Sequence, residues 1–350
     1  MTSVAVAATV GRASGNLFGR LPTRLAGLGA AAAVLLLACL GSLALGSAEL
    51  ELGTVVGAFT AFDGSNGHLI VLELRLPRTL IGLGVGAALG LAGCVMQGVT
   101  RNPLAEPGIL GINAGASLAV VIAIALLGIA QPADYVWFAL AGAALASVLV
   151  YALGLLGRGG AAPLRLVLAG AVLAALLTSL TSAILVLDAN TLDQFRFWAV
   201  GSIAGRDLGV LAAVLPFLVL GGALALVSGR QLNALSLGDD VARSLGQRVG
   251  IVRLALAASV VFLAGVAVAA AGPIAFVGLA VPHAARALVG SDYRWLLPYS
   301  AVLGPALLLA SDILGRILAR PGELQVGIMT ALIGAPVLIW LVRQRRLAQV

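Results

Sequence analysis

Long apolar runs broken by short polar stretches set the rhythm of this chain. Runs close to the ~20 residues that carry a helix across a bilayer fall at 25–46, 74–98, 109–129, 134–157, 164–187, 207–229, 251–271, 295–318 and 323–342. A tenth, shorter run at 274–288 is punctuated by Pro273 and Pro282. The runs are rich in Ala, Leu and Gly and lack the period-two alternation of a membrane barrel, so they predict helices rather than strands. Gly82, Gly86 and Gly90 recur every four residues on one helix face, which predicts a seam for close helix packing. The fold class expected is all-α, a ten-helix polytopic membrane bundle, with a tail at 1–24, one transmembrane domain over 25–345 and a short tail at 346–350. The first run is longer than the core of a cleavable signal peptide, and it is read as a membrane span.

Composition sharpens the picture. Hydrophobic residues make up 61% of the 350 and charged residues only 10%, which no soluble core could hide. The two cysteines, Cys39 and Cys94, lie inside apolar runs and suggest neither a disulfide nor a metal site. The net charge is +7 and every basic residue is Arg. A chain without Lys has no P-loop, whose lysine sits on the phosphates, so ATP and Mg are expected on partner subunits and no cofactor in this chain. The arginines are scattered between apolar spans rather than gathered in a stripe, which argues against nucleic acid.

Arginine placement also orients the chain. Ten crossings with both termini in the cytoplasm put fifteen arginines inside and six outside, namely Arg75, Arg78, Arg196, Arg206, Arg316 and Arg320. That arrangement requires 274–288 to count as a crossing. The expected location is the bacterial cytoplasmic membrane.

Four polar stretches carry information. Leu74-Arg75-Leu76-Pro77-Arg78 lies at the outer mouth of the second span. Two cations at a helix start oppose the helix dipole, so this pair reads either as interfacial snorkelling or as a docking site for carboxylates. The stretch 97–111 contains RNPLAEPGILG, a turn stiffened by Pro103 and Pro107. The stretch 237–248 reads as a short cytoplasmic surface helix, with Asp239 and Asp240 in its first turn and Gly246 as its cap. Val241 and Leu245, four apart, form an apolar ridge that fits a partner groove. The fourth stretch, GPIAFVGLAVPH, ends at His283, a lone histidine read as structural.

In order and spacing, "LRLPR", "RNPLAEPGILG", "GDDVARSLG", "GPIAFVGLAVPH" and "VGIMTALIGAPVLIWL" resemble the FecCD-like permeases of ABC importers for iron–siderophore complexes, haem and cobalamin. The resemblance covers roughly residues 25–345. It implies the type II importer permease fold, working as a homo- or heterodimer with two cytoplasmic ATP-binding subunits and an extracytoplasmic binding protein that delivers cargo. It implies docking arginines at Arg75, Arg78 and Arg316, the last in "SDILGR". It implies a cytoplasmic gate at Asn102 and Leu104 and at Pro163 and Leu164, the latter two standing where the family carries small hydroxyl residues. It implies ATPase coupling through Gly238, Asp239, Asp240, Val241, Arg243, Leu245 and Gly246. The cargo expected is a ferric siderophore or related metal chelate.

Two other function classes lack the residues they need. A secondary transporter needs intramembrane charges as ion sites, yet only Asp312 lies near a span's interior, and Arg316 at i+4 offers it a local partner. An intramembrane enzyme needs a catalytic pair inside apolar helices, and none is visible.

Overall fold

The computed structural model describes residues 17–18, 20–129, 131–155 and 163–343. The tail at 346–350 and most of the tail at 1–24 lie outside these residues, as do the side chains of Pro163 and Leu164. The described chain is helical: α1 (Leu21–Ala44), α2 (Leu52–Thr60) and α3 (Asn66–Leu69), then a π-helical turn at Ile70–Arg75 leading into α4 (Leu76–Thr100). After a 3-10 turn at Pro107–Leu110 follow α5 (Ile112–Leu127), α6 (Pro132–Leu155), α7 (Pro163–Leu187), α8 (Ala189–Ala199) and α9 (Leu208–Val227). The chain closes with α10 (Gly229–Ser236), α11 (Asp239–Ser244), α12 (Val249–Ala271), α13 (Val277–Val289), α14 (Tyr293–Leu318) and α15 (Val326–Arg343).

Seven of the helical stretches are long and apolar enough to cross a membrane, and three shorter apolar helices accompany them at Ile112–Leu127, Val277–Val289 and Val326–Val337. Five helices fall outside the predicted spans. α11 is the predicted surface helix, while α2, α3, α8 and α10 are too short or too mixed in polarity to stand out as apolar runs. The second span also begins earlier than its hydropathy suggests. Helical backbone continues without a break from Asn66 to Thr100, so Arg75 and Arg78 sit inside a helix rather than at its start. The dipole argument against them therefore lapses, because no free N–H groups lie next to them.

α4 is the central pillar. It packs against α14, α12, α13 and α9, and most of its length is buried. The glycine repeat explains how. A Cβ on Gly86 would lie 2.3 Å from Pro305 Cα, one on Gly90 would lie 2.4 Å from Ser300 O, and one on Gly93 would meet Gly278 backbone at 1.8 Å. The seam predicted from sequence thus faces α14 and continues onto α13. Backbones that approach this closely gain dispersion contacts, the main source of helix adhesion where lipid removes the hydrophobic drive.

α13 is a half-length helix. The chain breaks out of α12 at Gly272, whose φ of 74° suits glycine, and re-enters a helix at Val277. α13 then runs alongside α4 to the end of the bundle where α4 finishes.

Candidate functional site

Both ends of the bundle carry organised polar clusters. At the end where α4 is entered, Asp312 of α14 is completely buried. Its Oδ1 accepts from Arg78 Nη2 at 2.7 Å and from Nε at 3.2 Å. Arg316, one turn further along α14, lies 3.0 Å from Asp312 Oδ2 and donates to Ser42 O and Ser42 Oγ. Arg78 Nη1 reaches out to Glu323 Oε2 at 2.6 Å, and Ser47 Oγ donates to the other oxygen of Glu323. Arg75 has a different task. Its guanidinium donates to the carbonyls of Leu43, Ala44 and Ala48, which are orphan acceptors at and beyond the C-terminus of α1. Gly46 leaves the room, since a Cβ there would touch the Arg75 guanidinium at 2.7 Å.

The sequence predicts Arg75, Arg78 and Arg316 on the outer side, and the family resemblance implies that they dock a partner. The structure does bring Arg75, Arg78 and Arg316 together, but it turns them inwards. All three are buried, and compensation comes from Asp312, Glu323 and backbone carbonyls of the same chain. The physical reason is the cost of a charge at membrane depth, which falls when a guanidinium is both paired and hydrogen-bonded. The local Asp312–Arg316 pair is present as expected, and Arg78 joins it. The exposed members of this cluster are Glu323 and Arg320, the latter held by Glu49 at 2.7 Å and by Gly46 O.

At the opposite end, α4 stops at Arg101 in the left-handed conformation, φ 51°. The turn that follows is held by an Asx contact, Leu104 N donating to Asn102 Oδ1 at 3.0 Å. Asn102 and Leu104 are exposed, so both side chains are free to face a neighbour. The turn is fastened to α13 twice. His283 Nε2 lies 2.9 Å from Pro103 O, and Phe276 N donates to Glu106 Oε1 at 3.2 Å. His283 is thereby structural, as read from sequence. The role of Glu106 was not foreseen, although a carboxylate next to proline inside an otherwise apolar region was the available signal. Pro163 opens α7, and Leu164 follows it there.

Beside this turn lies the predicted surface helix, α11. Asp239 and Asp240 fill its first turn as expected. Its end is a Schellman arrangement. Gly246, with φ 82°, donates to Arg243 O, and Gln247 N donates to Ala242 O. Ala242 is buried against the bundle while Val241 is 42% and Leu245 63% exposed. Leu237, which precedes the Gly238 turn, is also exposed, at 66%. Gly238 makes the preceding turn with φ 118°, and Arg243 pairs with the exposed Asp240 at 2.8 Å. Among the described residues, no three His, Cys, Asp or Glu side chains gather to hold a metal ion.

The FecCD transport family matches residues 34–344. The ferric enterobactin transport system permease protein FepD of Escherichia coli strain K12 is 49% identical over 312 residues, covering 89% of this chain and 93% of its own length. The hemin transport system permease protein HmuU of Yersinia pestis is 38% identical over 337 residues, covering 94% and 98%. Among solved structures, an inward-facing conformation of a metal-chelate type ABC transporter superposes with a TM-score of 0.81 at 29% identity, covering 92% of this chain and 99% of that one. Apolar helices of spanning length, a proline-stiffened turn beside an exposed apolar ridge, and relatives matched nearly end to end lead to one assignment: the chain belongs to the FecCD transport family, as a multi-pass membrane permease of the ABC importer kind.

Proposed function

We propose that this permease carries a ferric siderophore inward, along a path formed between two permease subunits. The observation that carries the cargo reading is the 49% identity to a ferric enterobactin permease over nearly the whole of both chains. Haem is the second cargo reading, supported by the 38% identity to a hemin permease. The ion-coupled alternative loses the site that the sequence offered it, since Asp312 is already paired with Arg78 and Arg316.

The mechanism follows from the two ends. Both chain termini lie in the cytoplasm, with ten crossings between them, on the arginine distribution. The α11 ridge of Val241 and Leu245 docks into a groove on a cytoplasmic ATP-binding subunit, one for each permease. ATP and Mg are bound there. Asn102 and Leu104, with Pro163 and Leu164, form the cytoplasmic constriction against their counterparts in the second permease. An extracytoplasmic binding protein delivers cargo to the end that carries Arg75, Arg78 and Arg316. Because those guanidiniums are held internally, a partner carboxylate engages the cluster by replacing Glu323 on Arg78, the acid whose side chain is 31% exposed.

The test is reconstitution. The permease, its ATP-binding subunit and its binding protein are placed in proteoliposomes, and hydrolysis and uptake are measured with ferric enterobactin, hemin and cobalamin. Stimulation of both by the siderophore is expected. Stimulation by hemin or cobalamin alone would replace the cargo reading, and uptake driven by an ion gradient without ATP would remove the mechanism.

A further inference from the structure

Asp239 and Asp240 are adjacent, equally acidic and on one helical turn, yet their surroundings differ. The Asp240 side chain is 99% exposed and pairs only with Arg243 on its own helix. The Asp239 side chain is 25% exposed and faces the bundle. Its Oδ1 accepts from Arg253 Nη2 at 3.0 Å and also pairs with Arg101 Nη2. Arg101 in turn donates from Nε to Leu235 O at 2.8 Å. One carboxylate oxygen therefore ties together three parts of the chain: the end of α4 immediately before Asn102, the α10–α11 segment, and the first turns of α12.

The tie matters because of what surrounds α11. This six-residue helix is joined to its neighbours by glycine turns at Gly238 (φ 118°) and Gly246 (φ 82°). Such turns are compliant, so a displacement of the ridge would be absorbed in them if backbone connectivity were the only link. A carboxylate shared by two guanidiniums is a charge-assisted contact, and partial burial protects it from the screening that weakens exposed pairs. Arg101 is itself placed with care, since its left-handed φ of 51° is uncommon for a non-glycine residue.

We propose that Asp239 is a positioning residue, a latch that passes movement of α11 to the Asn102–Leu104 turn through Arg101 and to α12 through Arg253. This rests on reading α11 as the ATPase contact. Asp240 has no part in the latch.

The experiment compares Arg101→Gln, Arg253→Gln, Asp239→Asn, the Arg101→Gln/Asp239→Asn double variant, Arg101→Lys and Asp240→Asn in the reconstituted complex. Readouts are co-purification of the ATP-binding subunit, hydrolysis, and cargo transported per ATP. Arg101→Gln is expected to keep the ATP-binding subunit bound while transport per ATP falls about tenfold, with the double variant no worse than the more severe single one, as coupled residues behave. Arg101→Lys should recover part of the loss, whereas Asp240→Asn, on the exposed docking side of α11, should change at most capture of the ATP-binding subunit and keep the wild-type ratio of transport to ATP. Should Arg101→Gln elute as aggregate, Arg253→Gln carries the same expectation from the other side of the carboxylate. Multiplying effects in the double variant, an unchanged transport-to-ATP ratio in the arginine variants, or loss of the ATP-binding subunit with Asp239→Asn but not with Arg101→Gln would overturn the latch. Failure of the wild-type chain to retain the ATP-binding subunit is a separate result, and it would overturn the coupling reading itself.

Discussion

Arg78 and Asp312 lie 234 positions apart and meet at 2.7 Å inside the bundle, where Asp312 has no exposed surface. One carboxylate there serves two guanidiniums, so removing its charge leaves Arg316 on the neutral acceptors of Ser42 and Arg78 on the partly exposed Glu323. Asp312→Asn is expected to destabilise the folded chain by about 3–5 kcal/mol, the usual cost of breaking a buried ion pair from one side. Thermal unfolding in detergent checks this. A melting temperature equal to wild type would mean that water already solvates the arginines.

The exposed ridge on α11 makes a second prediction. Val241→Asp or Leu245→Asp should leave the permease monodisperse, because both side chains reach the surface and neither belongs to the buried core. Each should weaken binding of the ATP-binding subunit at least about tenfold, since a charge forced into an apolar groove costs ~1–3 kcal/mol or more. Pull-down with purified ATP-binding subunit is the measurement, and undiminished capture by both variants would move the contact elsewhere.

For the gate, the exposed Asn102–Leu104 turn is expected to approach its symmetry mate. Leu104→Cys, in a chain with Cys39 and Cys94 replaced by Ser, should form an oxidative cross-link between subunits in the resting complex. The cross-link should diminish during turnover. Its absence in every nucleotide state would place the turn away from the dimer axis.

Glu323 offers a pH test and a docking test. Burial pushes its carboxyl up, but the Arg78 hydrogen bond and charge outweigh this and hold it below the ordinary value of 4.5. A depressed folded value means stabilisation that is complete above the unfolded carboxylate range and is lost as pH falls through the folded value. The contribution of Glu323, read as the difference in stability between wild type and Glu323→Gln, should thus be constant from pH 7 to about 5 and shrink below about 4.3. Glu323→Gln should also speed association with the binding protein a few-fold, about two- to tenfold, at low salt by removing an acidic competitor for Arg78. Identical rates and salt slopes in wild type and variant would count against docking at this cluster.

Several features were legible from sequence because they are local. Apolar runs gave the long helices, the four-residue glycine repeat gave the seam on α14, and Asp239 to Gly246 gave α11 with its cap. The cluster around Asp312 was only half legible. Arg316 at i+4 is a local partner, whereas Arg78 and Ser42 reach it through tertiary packing that no local pattern encodes. The helical extension back to Asn66 was hidden by Glu73 and Arg75, which interrupt the hydropathy but not the backbone. The different duties of Asp239 and Asp240 were invisible for the same reason: only distant Arg101 and Arg253 tell them apart.

The fastening of the 101–106 turn to α13 has a consequence for selectivity. Pro103 is tied to His283 and Glu106 to the backbone of Phe276, so the turn cannot flap on its own. It must travel with a thirteen-residue rod. On the proposed reading of this turn as the cytoplasmic gate, an aperture bounded by such a rod would widen in one coordinated stroke instead of yielding gradually to whatever presses on it. Bulky, rigid solutes then pass once the stroke is complete, and small ions gain little from thermal jitter of the rim, which suits a membrane that must admit large molecules without leaking protons.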